Sequence, residues 1–323
     1  MRIIFCGTPE FAVPALTGLL SNPAFAVQAV VTQPDRPRGR GQTISSSPVK
    51  EAALGAGVCV YQPETVKADS AYDFFQRMAP EAVVIIAFGQ IIPARLIAIP
   101  RLGWINLHAS LLPKYRGAAP IAWAIANGES HTGLTIMQID QGMDTGPILL
   151  QSEIEIGAHE TAGQLARRMA ESGASLIIQS LEKLGRGELA PRPQDGSQAT
   201  YAPPLKKEDG RIDWAQPANQ IYNHMRGFAP WPGAYSTFRG QLCHIWGQPR
   251  PTSAPDAGDA GYAGDELAAP AGTLLVHAGT VHVLCGQRSE LELTAVQLEG
   301  RRRITANEFA NGMHLTPGDR FEH

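Results

Sequence analysis

EAVVIIAFG, residues 81–89, is apolar at odd and even positions alike from Ala82 to Phe88. A strand with one wet face would alternate. This run instead predicts a strand covered on both sides by helices, as in the middle of a parallel sheet. Working outward, RIIFCG (2–7), AVQAVVTQ (26–33), VCVYQ (58–62), GWINLHAS (103–110), TGLTIMQID (132–140) and PILLQSEIEI (147–156) read as further strands. Helical periodicity lies between them, at 11–20, 68–78, 118–127 and 162–184, with Pro120 fitting a first helical turn. Strands alternating with helices imply an α/β architecture, a doubly wound, mostly parallel, Rossmann-like sheet.

After residue 188 the pattern changes. PRPQDGSQATYAPPLKKEDG (191–210) is rich in proline, glycine and polar residues and reads as a linker. One helical stretch (215–227) follows. Then come the short strand-like pieces AYSTF, CHIWG, GTLLVHA, TVHVLCG and ELELTAVQL, which suggest a small β-barrel, OB-like in size. The expected organisation is a first domain over 1–188, a linker over 189–207 and a C-terminal barrel over 208–323. SAPDAGDAGYAGDELAAPA (253–271) has only acidic charges and reads as a disordered surface loop.

Charged residues make up 18% of the chain and the net charge is −3, so the chain as a whole has no electrostatic reason to bind nucleic acid. Such a site must be a local patch. TQPDRPRGRGQ places Arg36, Arg38 and Arg40 among prolines and glycines, with Asp35 as the one acid. A solvated loop and a phosphate-holding loop both fit that composition. Lys206, Lys207 and Arg301 to Arg303 are weaker candidates of the same kind. The four cysteines, Cys6, Cys59, Cys243 and Cys285, are far apart, which fits reduced thiols better than disulfides or a zinc site. Pro9 and Glu10 break the N-terminal apolar run, and no stretch approaches the ~20 residues that span a bilayer. A soluble cytoplasmic protein is expected, with no membrane association. GTPEF after the first strand is not G-x-G-x-x-G, which disfavours a dinucleotide site.

The chemistry concentrates in WINLHASLLPKYR (104–116). Side chains two apart on a strand share a face, so Asn106 and His108 project together at the carboxyl end of their strand, where ligands gather in open parallel sheets. An amide donor beside an imidazole suits acid–base work near neutral pH. The competing reading is a buried polar pair satisfied by backbone. IDQGMDTGP (139–147) is either plain turn chemistry or a loop that brings the Asp144 carboxylate to His108.

Taken together, INLHASLLPKYRGAAPIAWAI, TGLTIMQIDQGMDTGPIL, IIFCGTPEFA, TQPDRPRGRG, SPVK and FAPWPGA (228–234) resemble the folate-dependent formyltransferase family, over nearly the whole chain. The match is closer still to the branch of it that acts on methionyl-tRNA. The resemblance implies a one-carbon transferase with 10-formyltetrahydrofolate as co-substrate and no metal. Its partner would be initiator methionyl-tRNA, for translation initiation, and the protein would be a monomer. It makes 1–188 the catalytic domain and the C-terminal barrel a tRNA-binding domain. It also implies Asn106, His108 and Asp144 as the catalytic triad, Ser110, Leu111, Leu112 and Pro113 as the folate-binding segment, and Ala87 to Ile92 as a wall against the pterin. Arg40 matches a basic residue that reaches the tRNA acceptor end, with Arg36 and Arg38 beside it. Formyl transfer to glycinamide ribonucleotide or a sugar amine, formyl-folate hydrolysis, and a non-catalytic tRNA-binding role are the alternatives.

Overall fold

The computed structural model describes residues 1–38, 43–250, 269–277 and 279–322, without the side chains of Arg38 and Thr43. Arg40 and most of the acidic stretch read at 253–271 lie outside the described residues. The chain forms two compact units. One comprises Met1–Ile121, Ser130–Gly157 and Gln164–Pro204; the other comprises Ala122–Glu129, Ala158–Gly163 and Leu205–His323.

In the first unit the chain runs β1 (Arg2–Gly7), α1 (Val13–Ser21), β2 (Ala26–Val31), β3 (Arg36–Arg38), β4 (Thr43–Ser45), α2 (Pro48–Gly55), β5 (Val60–Tyr61), α3 (Asp69–Met78), β6 (Ala82–Ile86), α4 (Ala94–Ile97), β7 (Trp104–His108), β8 (Arg116–Gly117), α5 (Pro120–Ala126), β9 (His131–Gln138), β10 (Ile148–Glu155), α6 (Ala162–Gly185) and β11 (Tyr201–Ala202). The large sheet has the order β10-β9-β7-β6-β1-β2-β5. β5, β2, β1, β6 and β7 are mutually parallel, whereas β9 runs antiparallel to β7, and β10 to β9. The double-sided burial expected for 82–86 is present: all five residues of β6 are buried. On one face Ile4, Cys6, Val31, Val83, Ile85 and Trp104 pack with Phe75 of α3 and Leu96 of α4. On the other, a Cβ on Gly173 of α6 would come within 2.6 Å of Leu107 of β7. That glycine lets the long helix lie close on the strand that carries Asn106 and His108.

Glu81 closes the amino end of β6. Its carboxylate accepts from the Arg2 backbone N–H at 2.8 Å and from Arg101 Nη2 at 2.6 Å. The Arg101 bond first, then the Arg2 N–H, lowers its pKa from 4.5 to about 2. A depressed carboxylate stabilises the fold above its unfolded pKa, and that stability is lost as pH falls through the folded value. Against Glu81→Gln, the wild-type urea midpoint should therefore drop progressively below pH 4.5, toward about 2, and stay parallel to it above pH 6. Parallel midpoints from pH 6 to 3 would remove Glu81 from the acid response.

The proline-rich segment read as a linker is not a free tether over 192–202. Arg192 exchanges backbone hydrogen bonds with Ile148 of the edge strand β10. β11 pairs in parallel with β8. The segment is polar because it hydrogen-bonds to loops instead of filling a core, and in sequence that is indistinguishable from a linker.

The second unit is built on α7 (Ala218–Gly227), β12 (Tyr235–Phe238), β13 (Gln241–Pro249), β14 (Leu274–His277), β15 (Thr280–Cys285), β16 (Ser289–Leu298), β17 (Ile304–Thr305), α8 (Ala306–Met313) and β18 (Phe321–Glu322). Its antiparallel sheet has the order β14-β15-β16-β13-β12-β18. The sheet curls until its two ends meet at a bridge between Thr273 and Arg320. The interior is aromatic. Trp214 stacks on Phe321 at 5.3 Å and Phe309 meets Phe238 edge-on at 5.1 Å. α8 starts at a reciprocal cap between Thr305 and Glu308, the capping-box pattern. The same unit holds Ala122–Glu129, and so most of α5, and there the Trp123 ring meets Phe228 edge-on at 5.1 Å.

Candidate active site

β7 carries Trp104, Asn106 and His108 on one face by strand periodicity. Trp104 is fully buried, packs 5.2 Å from the Phe75 ring and donates Nε1–H to the Leu96 carbonyl at 2.8 Å. This anchor fixes the strand's rotation and so aims the two polar residues. Asn106 and His108 are 8% and 6% exposed, at the strand's carboxyl end.

His108 is oriented from both sides. Nε2 lies 2.9 Å from the Tyr115 carbonyl. A carbonyl only accepts, so geometry puts the proton on Nε2. Nδ1 is left facing Asp144 Oδ2 at 3.6 Å. That distance is an ion-pair separation when the imidazole is protonated and is slightly long for a direct hydrogen bond. The same Oδ2 accepts the Gly117 backbone N–H at 2.8 Å. No hydrogen bond reaches Asp144 Oδ1 or the Asn106 amide among the described residues. Both are available to a substrate. Of the three residues grouped by sequence reasoning, Asn106 and His108 share one face of β7, and His108 Nδ1 lies 3.6 Å from Asp144 Oδ2.

Asp144 reaches His108 from a left-handed backbone, φ +53°. Tyr115, whose carbonyl holds the imidazole, is also left-handed at φ +58°. Non-glycine residues held there store about 1 kcal/mol or more each and cluster at working sites.

The 110–113 segment is braced more than it is open. Ser110, fully buried, donates its hydroxyl to the Lys114 carbonyl at 2.6 Å. Thr135 of β9, opposite His108, donates to the Ser110 carbonyl at 2.6 Å. Its oxygen accepts from the Leu112 N–H at 3.1 Å and from Gln151 Nε2 at 3.0 Å. Leu112 is buried, whereas Leu111 and Pro113 stay half-exposed. Leu111 packs over Gly133, where an added Cβ would lie 2.5 Å from its Cδ2. Thr135 and Gln151 carry no motif that sequence alone would flag. In the 87–92 segment, Ala87 and Ile91 are exposed, while Phe88 is buried with its carbonyl held by Gln33.

In the arginine loop, β3 and β4 form a short hairpin with Arg36 exposed. Asp35, its one acid, is drawn off by Lys50 and Gln62, whose hydrogen bonds, Lys50 first, lower the carboxyl pKa. Arg36 thus keeps its charge uncompensated by its nearest acid. Among Arg301 to Arg303, Arg303 lies over the Trp246 ring at 3.9 Å.

The formyl transferase model matches residues 1–181, and the model of the formyl transferase C-terminal domain matches 204–314. The chain belongs to the formyltransferase family. It is 51% identical over 99% of its length to a methionyl-tRNA formyltransferase of Solibacter usitatus, covering 98% of that protein. It is 46% identical over 99% of its length to one of Acidobacterium capsulatum, also covering 99% of that protein. A solved N-formyltransferase from Helicobacter canadensis, bound to folinic acid and dTDP-3-aminofucose, superposes with TM-score 0.65 at 17% identity. The match covers 91% of this chain and 98% of that one, and it establishes the formyltransferase fold. No helix among the described residues is long and apolar enough to cross a membrane.

Proposed function

We propose that the protein transfers the formyl group of 10-formyltetrahydrofolate to the α-amino group of methionine on initiator methionyl-tRNA. The observation that carries this reading is the full-length match, both units included, to proteins named for that reaction. Folate-bound neighbours of the same fold support the co-substrate. The pterin would lie between the Ala87–Ile92 segment, where Ala87 and Ile91 are exposed, and the half-exposed Leu111 and Pro113. The Ser110 hydroxyl is already engaged and would act by bracing that segment. The cytoplasm, where translation starts, is the proposed location and a monomer the proposed state.

The reaction needs three services. The free amine is itself the nucleophile, so no side-chain nucleophile is required. As it adds to the formyl carbon, charge develops on the formyl oxygen. The Asn106 amide, which has no hydrogen-bond partner among the described residues, is a donor for that oxygen, and a protonated imidazolium at His108 beside it would stabilise the charge electrostatically. The adding amine must lose a proton and the leaving N10 must gain one. Asp144 Oδ1, which no hydrogen bond engages among the described residues, can pass that proton through water, while Oδ2 faces the imidazole. The nitrogen–carbon bond to methionine forms as the N10–carbon bond breaks, with the proton ending on the folate.

The test offers the protein 10-formyltetrahydrofolate with charged initiator tRNA, an aminated nucleotide sugar, or glycinamide ribonucleotide. Formylation of the tRNA alone is expected; formylation of either small acceptor at comparable kcat/KM would replace the reading. The arginine loop belongs to the same proposal. Arg40→Ala should raise KM for the tRNA several-fold, with a shallower salt dependence, and leave folate binding unchanged. Identical salt profiles on every tRNA would make Arg40 a solvated residue.

A further inference from the structure

We propose that Gln194 is a positioning residue for the reaction, holding the Asp144 loop so that its carboxylate stays beside His108. The inference rests on the catalytic reading of Asn106, His108 and Asp144 above. Gln194 lies in the segment whose composition read as a linker. Its Nε2 donates to the Asp144 carbonyl at 2.9 Å and to the Gly146 carbonyl at 2.8 Å. Its Oε1 accepts from Arg116 Nη2 at 2.7 Å and Nε at 3.2 Å. Arg116 is 6% exposed, so the amide is pinned by a buried guanidinium and cannot swing away.

The Asp144 loop needs such a clamp. Asp144 is left-handed at φ +53°, a conformation that survives only when its surroundings impose it. Gly146 lies so close to the Gln138 carbonyl that a Cβ would meet it at 1.8 Å, so the loop is already at its limit on the strand side. Gln194 fixes the carbonyls on both sides of Thr145 from outside. Six residues on, Thr200 does the equivalent for the other support of His108. Its Oγ1 accepts the Tyr115 N–H at 2.9 Å, and its carbonyl accepts the Arg116 N–H at 2.9 Å. Both left-handed residues that flank the imidazole are thus held by one segment.

A merely structural role, in which Gln194 only satisfies Arg116, makes a different prediction. Gln194→Glu keeps an acceptor for Arg116 and strengthens it, but turns an oxygen toward two carbonyls that need a donor. Gln194→Met keeps the length and loses both functions. Positioning predicts that each lowers kcat roughly 10- to 100-fold, since sub-ångström displacement of a catalytic group costs about that much, with KM for the folate within about twofold. It also predicts that neither has a further effect on kcat in an Asp144→Ala background, because the lost function is the same. Steady-state kinetics of single and double variants, each checked for its Tm, decide the matter. Wild-type kcat in Gln194→Glu, or losses that add to those of Asp144→Ala, would overturn the proposal. Should Gln194→Glu not fold, Gln194→Met carries the same two readouts. An Asp144→Ala protein that turned over as wild type would overturn the catalytic reading itself, and this one with it. A slow Asp144→Ala beside a wild-type Gln194→Glu would overturn this one alone.

Discussion

Asp144→Ala, His108→Ala and Asn106→Ala are each expected to lower kcat for formyl transfer by about 10²-fold or more, the usual scale for losing an acid–base or oxyanion contact. The folate Kd should change little, because the surfaces assigned to the pterin and its neighbours, 87–92 and 110–113, are untouched. Pairwise combinations should cost less than the product of the single losses. His108 works in a position set by the Asp144 carboxylate 3.6 Å away, and removing either disables the other. Asn106 acts through its own amide, so its loss should combine more nearly additively with that of Asp144. Single-turnover rates at saturating folate, with binding measured separately, check all three. Turnover within a few-fold of wild type in Asp144→Ala would sink the assignment.

The second large effect concerns stability. Trp104→Ala should cost about 3–5 kcal/mol, the range for deleting a large buried aromatic side chain. The residue is fully buried, touches Phe75 of α3 and gives up a hydrogen bond to Leu96. Loss of its ring would also leave the Leu96 carbonyl without that donor. Against the 5–15 kcal/mol typical of native domains, this is a large share of the whole. The denaturant midpoint should fall at nearly unchanged slope. A cost under 1 kcal/mol would mean that the strand beneath Asn106 and His108 is not anchored as described.

Much of this was legible in the residues. The continuous apolar run 82–88 declared a doubly covered strand, and β6 is buried throughout. The alternation of Asn106 and His108 put them on one face of β7 and gave their direction without any structure. Asp144 was legible as a carboxylate in a glycine-rich loop, but not its left-handed backbone, which tertiary contacts impose. The antiparallel insertion of β9 was also hidden, because periodicity reports burial and not direction. Thr135, Gln151 and Gln194 were invisible for one shared reason. Each acts through a hydrogen bond to backbone of a loop remote in sequence, and such contacts leave no spacing rule behind. The β3–β4 hairpin went unread because prolines and arginines carry no strand pattern, and Arg40 lies outside the described residues.

The account's central claim is that the carbon leaving 10-formyltetrahydrofolate arrives on methionine's α-nitrogen through the work of Asn106, His108 and Asp144. The direct measurement uses folate labelled at its formyl carbon, with and without charged initiator tRNA, followed by mass spectrometry of the aminoacyl product. The account predicts label on methionine in equal amount to the tetrahydrofolate released, no release without the tRNA, and loss of both in Asp144→Ala. Label appearing as free formate, with folate released in the absence of tRNA, would contradict it.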